Sequence, residues 1–173
     1  SAQQPMVLNV NDAPVLTIVG TAKEDEQLMT ELSDEDGLGT IRYQSNRDGE
    51  EIDGATDSTY TLTQEDVNNT IDVTASYTDG QDTAESVMSA ATQMVINVND
   101  DPVLTIVGTA KEDEQLTTEL SDEDGLGTIS YQWNRDGEEI DGATDSTYTL
   151  TQEDVNNTST VTASYTDGQD KEE

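Results

Sequence analysis

The sequence predicts an all-β protein made of two tandem β-sandwich domains, and three observations support this prediction. The chain of 173 residues repeats itself, with VLNVNDAPVLTIV at 7–19 and VINVNDDPVLTIV at 95–107. Within each repeat, apolar and polar residues alternate over short segments, which is the pattern of strands with one buried face. Asp-Gly pairs and other turn signals separate these segments about every 8–12 residues, and such spacing is typical of a β-sandwich.

The repeat fixes the expected domain organisation. Pro14 and Pro102 hold equivalent places, so the repeat length is 102 minus 14, or 88 residues. We expect residues 13–100 to form the first domain and residues 101–173 the second, with residues 1–12 as the final-strand tail and linker of a preceding repeat. Repeat two stops at Glu173, the equivalent of Glu85, so the second domain is expected to lack its last strand.

The first residues of the chain resemble the strand that the second domain is expected to lack. QPMVLNV at 4–10 matches QMVINV at 93–98, the end of the last strand of repeat one. An open sheet edge beside an uncovered core is a template for strand addition. We therefore hypothesise that the strand at 6–10 of one molecule fills the gap in the second domain of another. The plainer alternative is that the sequence stops before the true domain boundary, which leaves the second domain partly unfolded.

The individual strands are predicted from repeat two, where the alternation is clearest. Val103–Val107 is a dense run of β-branched residues, and Leu116, Thr118 and Leu120 lie on one face of the next strand. The further predicted strands are residues 129–134, 147–151 and 161–165, with an Asp-Gly turn at 136–137. Residues 151–156 (TQEDVN) are expected to form a single helical turn between strands. In repeat one, residues 85–98 supply the last strand, which small residues break midway.

The charge of the chain excludes several kinds of partner. Its formal net charge is −33, from 39 acidic and 6 basic residues. Nucleic acids and anionic membranes require a basic face, so neither is expected as a partner. Two carboxylates about 4 Å apart repel by about 4 kcal/mol at an effective dielectric constant of ~20, so clustered carboxylates need cations, salt or protons.

Residue types also limit the chemistry. The chain has no His and no Cys, which excludes a His-based triad, a thiol nucleophile and the usual zinc sites. Paired carboxylates could hydrolyse glycosides. Since carboxylates occur throughout both repeats, however, any such pair is unsurprising, and we expect the protein not to be an enzyme.

Several segments resemble known families. The strand order resembles an immunoglobulin-like sandwich: Trp133 matches the buried third-strand Trp of that superfamily, and Leu150 and Asp154 match its corner before the penultimate strand. The inter-sheet Cys pair is absent, so the likeness concerns the fold rather than antibody domains. More closely, the chain resembles the immunoglobulin-like or cadherin-like extender repeats of repeats-in-toxin bacterial surface adhesins. The segments that carry this resemblance are residues 10–14 (VNDAP), 33–37 (SDEDG), 73–82 (VTASYTDGQD) and 129–155.

The resemblance implies a secreted, calcium-rigidified spacer array at the bacterial cell surface, which holds a binding domain away from the cell. The partners of each domain would then be the neighbouring repeats of the same chain. The leading functional hypothesis is a calcium-binding extender module whose interdomain hinge is stiffened by Ca²⁺.

The acidic motifs lie in loops that an immunoglobulin topology places at the domain ends. Loops 121–125 and 166–170 of repeat two, and loops 23–26 and 64–66 of repeat one, are expected to face the hinge at 99–101. Oxygen ligands in such number suit Ca²⁺, which takes about 6–8 of them. The candidate hinge ligands are Glu24, Asp25, Glu26, Glu65, Asp66, Asn99, Asp100, Asp101, Asp122, Asp124, Asp167 and Asp170. The equivalent half-site at the top of repeat one consists of Asn11, Asp12, Asp34, Asp36, Asp79 and Asp82.

Other interpretations of the same residues stay open. Asp-x-Asp-Gly is also a common solvated turn, and no Glu closes an EF-hand loop here. A carbohydrate- or protein-binding β-sandwich module would need solvent-facing aromatics from Tyr43, Tyr60, Tyr77 and their equivalents. Adaptation to high salt would spread the carboxylates evenly, and NaCl would then stabilise the protein as well as CaCl₂ does.

One difference between the repeats concerns the core. Ser45 stands in repeat one where repeat two has Trp133. Loss of a buried Trp costs about 3–5 kcal/mol. We therefore expect a cavity or a shifted core in the first domain, which should melt before the second.

Overall fold

The structure, a computed structural model, describes all residues from Ser1 to Glu173. The chain divides into two compact units, Ser1–Val98 and Asn99–Glu173. It contains β-strands, two short 3-10 turns and no α-helix, so the predicted all-β class is confirmed. No helix has the length and apolar character that crossing a bilayer requires.

Unit 1 consists of two antiparallel sheets. Its strands are β1 (Val15–Val19), β2 (Gln27–Ser33), β3 (Arg42–Arg47), β4 (Glu50–Glu51), β5 (Thr59–Thr61), β6 (Ile71–Thr78) and β7 (Ala84–Met88). One sheet has the order β1-β2-β5 and the other the order β4-β3-β6-β7. Leu16 of β1 packs with Val73 and Ala75 of β6, so the core lies between the two sheets, as in a β-sandwich.

Strand β6 shows how the sequence dictates this arrangement. Its residues IDVTASYT alternate between buried and partly exposed positions, with Ile71, Val73, Ala75 and Tyr77 on the inner face. Strand β3 pairs with residues 71–76 of β6, and β7 pairs with residues 74–78 on the other edge. The turn between β3 and β4 contains Asp48 and Gly49, both at positive φ, as a tight hairpin requires.

Unit 2 also consists of two antiparallel sheets. Its strands are β8 (Val103–Val107), β9 (Gln115–Ser121), β10 (Ser130–Arg135), β11 (Glu138–Glu139), β12 (Thr147–Thr149) and β13 (Ser159–Ser164). The sheet orders are β12-β9-β8 and β11-β10-β13, around a core of Leu116, Trp133 and Leu150. The strands predicted from the alternation are confirmed, with bounds shifted by a few residues. The predicted single turn is the 3-10 helix Gln152–Asp154.

The position of Trp133 is the main difference between the two cores. Trp133 is fully buried, stacks on Tyr148 with ring centroids 5.6 Å apart, and donates from Nε1 to the Asp145 carbonyl at 2.9 Å. In unit 1 the equivalent Ser45 is buried and lines a space of only about 10 Å³, so of the two expected outcomes the structure favours a shifted core over a cavity. The lining of this space combines apolar residues such as Ile18 and Leu28 with polar ones such as Ser58 and Thr59.

The last strand of unit 1 is interrupted, as predicted. After β7, the chain returns to the edge of the unit at Val95 and Ile96, which form parallel bridges with Val67 and Lys23 respectively. Val95 is 1% exposed and belongs to the core with Leu62. This segment therefore closes one side of the sandwich.

Residues 1–12 were expected to be the tail of a final strand, but they form no strand here. Met6 and Val7 are 89% and 90% exposed, and residues 1–12 are exposed throughout. The physical reason is that a strand exists only when its backbone groups pair with a neighbour, and residues 4–10 have none in this unit.

Candidate metal-binding site

Two acidic loops meet at one end of unit 1, residues 33–37 after β2 and residues 79–82 after β6. The Gly80 amide donates to the Asp36 carbonyl at 3.0 Å. A Cβ atom at Gly80 would lie 2.5 Å from that oxygen, so only glycine permits this close approach. The Asp79 Oδ1 atom accepts from the amides of Gln81 and Thr83, both at 2.8 Å, which fixes the second loop.

The first loop is fixed by its own carboxylates. Asp34 Oδ1 accepts from the Asp36 amide at 2.9 Å, and Asp34 Oδ2 accepts from the Tyr77 hydroxyl at 2.6 Å. Asp36 Oδ2 in turn accepts from the Asp12 amide at 2.7 Å, so the segment that leads into β1 is tied to the loop. These carboxylates are therefore held in place by the fold.

Three carboxylates converge at this end. Oxygens of Asp34, Asp79 and Glu85 lie within 4.8 Å of one another. The Glu85 carboxylate also accepts from Asn11 Nδ2 at 2.7 Å. None of the ion pairs in the structure involves any of the three, so no Lys or Arg neutralises them.

The Oδ2 atom of Asp79 is the strongest indication of a bound cation. Its side chain is 5% exposed, and its Oδ2 atom is buried without a hydrogen-bond partner. Buried polar atoms almost always have a partner, and an unsatisfied one costs about 1–3 kcal/mol, more when it carries charge. An anionic oxygen in this position is the ligand that a bound cation requires.

Repulsion among the three carboxylates also favours a bound cation. At 4.8 Å, each pair of carboxylates repels by about 3 kcal/mol for an effective dielectric constant of ~20. Burial raises the pKa of Tyr77, and its hydrogen bond to Asp34 and the charges of Asp34, Glu85 and Asp79 raise it further. Tyr77 is therefore a neutral donor at neutral pH and adds no charge to the cluster.

Unit 2 repeats this geometry in its backbone. The Gly168 amide donates to the Asp124 carbonyl at 2.9 Å, and Asp122 accepts from the Asp124 amide at 2.9 Å and from the Tyr165 hydroxyl. Asp124 Oδ2 accepts from the Asp100 amide at 2.8 Å.

Asp167 repeats the features of Asp79. Its Oδ1 atom accepts from the amides of Gln169 and Lys171, and its Oδ2 atom is again buried without a partner. The two units therefore present the same unsatisfied atom.

The two ends differ in one cation. Lys171 stands where unit 1 has Thr83, and its Nζ atom lies 2.7 Å from Glu173 Oε1. The hydrogen bond to Glu173 raises the pKa of Lys171, and the charges of Asp167 and Asp101 add to this effect. Unit 2 therefore carries its own ammonium group beside the carboxylates, whereas unit 1 has none.

Asp66, predicted as a ligand, is already saturated. It is fully buried, and its Oδ1 atom accepts from Arg47 Nε at 2.8 Å. Its Oδ2 atom accepts from the Tyr60 hydroxyl at 2.9 Å and from the Thr63 amide at 2.8 Å. These contacts indicate a structural role at the corner before β6. Asp154 has the same partners in unit 2, so we leave Asp66 out of the candidate site.

The other predicted residues do not join the cluster of Asp34, Asp79 and Glu85. Glu24 is buried and accepts from the Val98 amide at 3.0 Å, and Glu65 pairs with Arg47 at 3.4 Å. The remaining predicted ligands are exposed: Asn11, Asp12, Asp25, Glu26, Asp82, Asn99, Asp101 and Asp170.

Sequence reasoning missed Glu85. It lies opposite Tyr77 in the register of β7 and β6, so both side chains share one face of the sheet. An alternation count along β7, with Glu85 in phase with Val87, could have suggested this position.

Comparisons with known proteins are sparse. No protein-family model matches the chain, and a comparison with curated proteins gives no match. One solved structure, described as three N-terminal domains of the bacteriophage RB49 highly immunogenic outer capsid protein (Hoc), is similar at a TM-score of 0.38 and 15% sequence identity. The match covers 87% of this chain and 58% of that one, so the chain spans little more than half its length.

Proposed function

We propose that the chain is a non-catalytic, calcium-binding extender module of a large bacterial surface adhesin. The observation that supports calcium is the cluster of Asp34, Asp79 and Glu85, with the buried and unpaired Oδ2 atom of Asp79. The proposal of an immunoglobulin-like spacer at the cell surface rests on the face-to-face sheets and on the sequence resemblance described above.

The donor set favours Ca²⁺ over other ions. The cluster offers carboxylates, and an amide side chain, Asn11, lies beside it; there is no nitrogen or sulfur ligand of the kind zinc prefers. Ca²⁺ accepts about 6–8 oxygens in flexible geometry, whereas Mg²⁺ requires a strict octahedron and keeps several waters. A site built from three separate chain segments suits the more flexible ion.

Calcium at this site would stabilise unit 1 by joining those segments. Asp34 follows β2, Asp79 follows β6, and Glu85 lies in β7, so one ion would connect both sheets. Extracellular modules bind calcium with Kd of about 10⁻⁴–10⁻³ M, and calcium at 100 times Kd would stabilise the unit by about 2.7 kcal/mol. The free energy of unfolding of the unit would therefore be lower in the low-calcium cytoplasm and higher outside the cell. Stiffening of the hinge at 97–102 by calcium stays a prediction from the sequence.

Thermal unfolding with matched variants tests this proposal. We expect CaCl₂ to raise the Tm of unit 1 more than NaCl of equal ionic strength, and Asp79→Asn to remove this difference. Asp53→Asn removes an exposed carboxylate of the same unit and should leave the difference unchanged. If NaCl stabilises as well as CaCl₂, the carboxylates act only as a solvated surface and the proposal is wrong.

The alternative of a carbohydrate-binding module finds no support in the side-chain placement. All six tyrosines and Trp133 are buried or half-buried. A sugar-binding platform of stacked, solvent-facing rings is therefore not available on either unit.

A further inference from the structure

Unit 2 has an open groove at the edge of its core. Its lining includes Ile106, Leu116, Leu150 and Val155. Val155 is 40% exposed, whereas its equivalent in unit 1, Val67, is 7% exposed. The groove therefore leaves part of the core edge uncovered, between polar residues such as Lys111 and Asn157.

Unit 1 shows which kind of segment fits this groove. There, the Val95 amide donates to the Asn69 carbonyl at 2.9 Å, and the Asn68 amide donates to the Val95 carbonyl at 3.0 Å. On the other side, the Ile96 amide donates to the Ala22 carbonyl at 3.0 Å, and the Glu24 amide donates to the Ile96 carbonyl at 2.9 Å. One extended segment thus bridges the two sheets with its backbone.

The corresponding groups in unit 2 form no hydrogen bond. They are the amides of Glu112 and Asn156 and the carbonyls of Ala110 and Asn157. All four residues are exposed, and the sequence around them is the same as in unit 1. The edge that would receive an added strand is therefore present in unit 2. Unpaired donors and acceptors beside apolar residues are the features of a strand-addition site.

The chain contains a segment of matching sequence. With the repeat offset of 88, Val7 is the equivalent of Val95 and Asn9 is the equivalent of Asn97, which accepts from Gln64 Nε2 at 3.2 Å in unit 1. In unit 2, Gln152 is the sequence equivalent of Gln64. Met6, Val7, Leu8 and Val10 are each at least 80% exposed, which is unusual for four apolar residues so close together.

We propose that the groove of unit 2 binds residues 4–10 of a second copy of this chain. Val7 enters the core between Leu150 and Val155, and the backbone of residues 7 and 8 pairs with the four open groups. Met6 points to solvent, as its equivalent Met94 does in unit 1 at 64% exposure. The donor and acceptor are different surfaces, so each molecule keeps a free donor and a free acceptor, and association yields open chains.

Sedimentation of the full 173-residue chain over a range of concentrations tests this proposal. The buffer should contain about 0.5 M NaCl, because two chains of net charge −33 repel and salt screens this repulsion. We expect mass to rise with concentration, Val7→Asp to reduce the association constant at least about 10-fold, and Met6→Asp to leave it unchanged. Both positions are exposed in unit 1, so neither change should unfold it.

A cross-link identifies the surfaces in contact. The chain has no Cys, so a Val7→Cys chain and a Val155→Cys chain can be mixed and oxidised, since their unit 1 equivalents Val95 and Val67 are bridge partners. A disulfide-linked heterodimer is expected, and a mixture of Met6→Cys with Val155→Cys should give much less. A monomer at every concentration, equal loss from both aspartate variants, or no preference in the cross-link would each overturn the proposal.

Discussion

At the residue scale, the calcium proposal depends on the environment of one carboxylate. Asp79 Oδ1 is used by two loop amides, and Oδ2 is buried without a partner. Asp66 is equally buried, but Arg47, Tyr60 and Thr63 occupy both of its oxygens. The same residue type is therefore a structural anchor in one loop and a candidate ligand in another, and only the partners distinguish the two.

Thr83 and Lys171 occupy equivalent positions in the two units, so exchanging them tests the effect of one positive charge on calcium binding. In unit 2 the Lys171 ammonium lies against Glu173, so it would compete with a cation that bound there. We expect Thr83→Lys to weaken calcium binding by unit 1 about 10-fold, which corresponds to about 1.4 kcal/mol. Lys171→Thr should strengthen binding by unit 2. Calorimetric titration with CaCl₂ measures both effects.

The control for this exchange is Thr83→Val, which removes the hydroxyl without adding charge. The Thr83 amide would still donate to Asp79 Oδ1. Equal affinity for calcium in the Thr83→Lys variant and the unchanged chain would mean that the ammonium does not reach the site, and would contradict its role in unit 2.

The residue-level site was predicted only in part. Asp34 and Asp79 belong to local motifs, Asp-x-Asp-Gly and Thr-Asp-Gly, that are visible in the sequence. Glu85 was missed because its place depends on the register of β7 against β6, which pairs it with Tyr77. Asp66 was included because its partner Arg47 lies 19 residues away, and no local pattern signals that contact.

At the element scale, the strands were predictable because both repeats carry the same alternation. Val103–Val107 is found with the bounds that its β-branched run predicts. The interrupted last strand of unit 1 was also predictable, since small residues separate β7 from Val95. The expectation that residues 1–12 are the tail of a preceding repeat stays a prediction, since a segment without a pairing partner forms no strand here.

Ser45 in β3 and Trp133 in β10 occupy equivalent core positions, so exchanging them gives a second matched pair of variants. Trp133 fills its core and donates to the Asp145 carbonyl, so Trp133→Ser should lower the free energy of unfolding of unit 2 by about 3–5 kcal/mol. Ser45→Trp should destabilise unit 1 by about 1–3 kcal/mol, because the space of about 10 Å³ beside Ser45 cannot accept the indole unless the core shifts.

Hydrogen exchange resolved by unit measures these changes separately. Stabilisation of unit 1 by Ser45→Trp would show that its core still accepts an indole as the core of unit 2 does, and would contradict this account. The expectation that unit 1 melts first stays a prediction, and the open groove beside Val155 acts against it by weakening unit 2.

At the scale of the whole molecule, two nearly identical sequences share a buried, unpaired aspartate oxygen, at Asp79 and Asp167, but differ around it. In unit 1 no Lys or Arg pairs with the acidic cluster, whereas unit 2 has Lys171 there and also a core edge without a strand. The net charge of −33 makes the acidic cluster depend on metal and salt. Pairing at the core edge depends on concentration. Calcium and protein concentration should therefore change the behaviour of this chain independently.

The central claim is that calcium binds at the acidic end of unit 1, and an anomalous-scattering map from crystals grown with CaCl₂ tests it most directly. We expect a calcium peak about 2.3–2.6 Å from Asp79 Oδ2, with oxygens of Asp34 and Glu85 as further ligands. A map with ordered side chains at Asp34, Asp79 and Glu85 and no peak between them would contradict the claim.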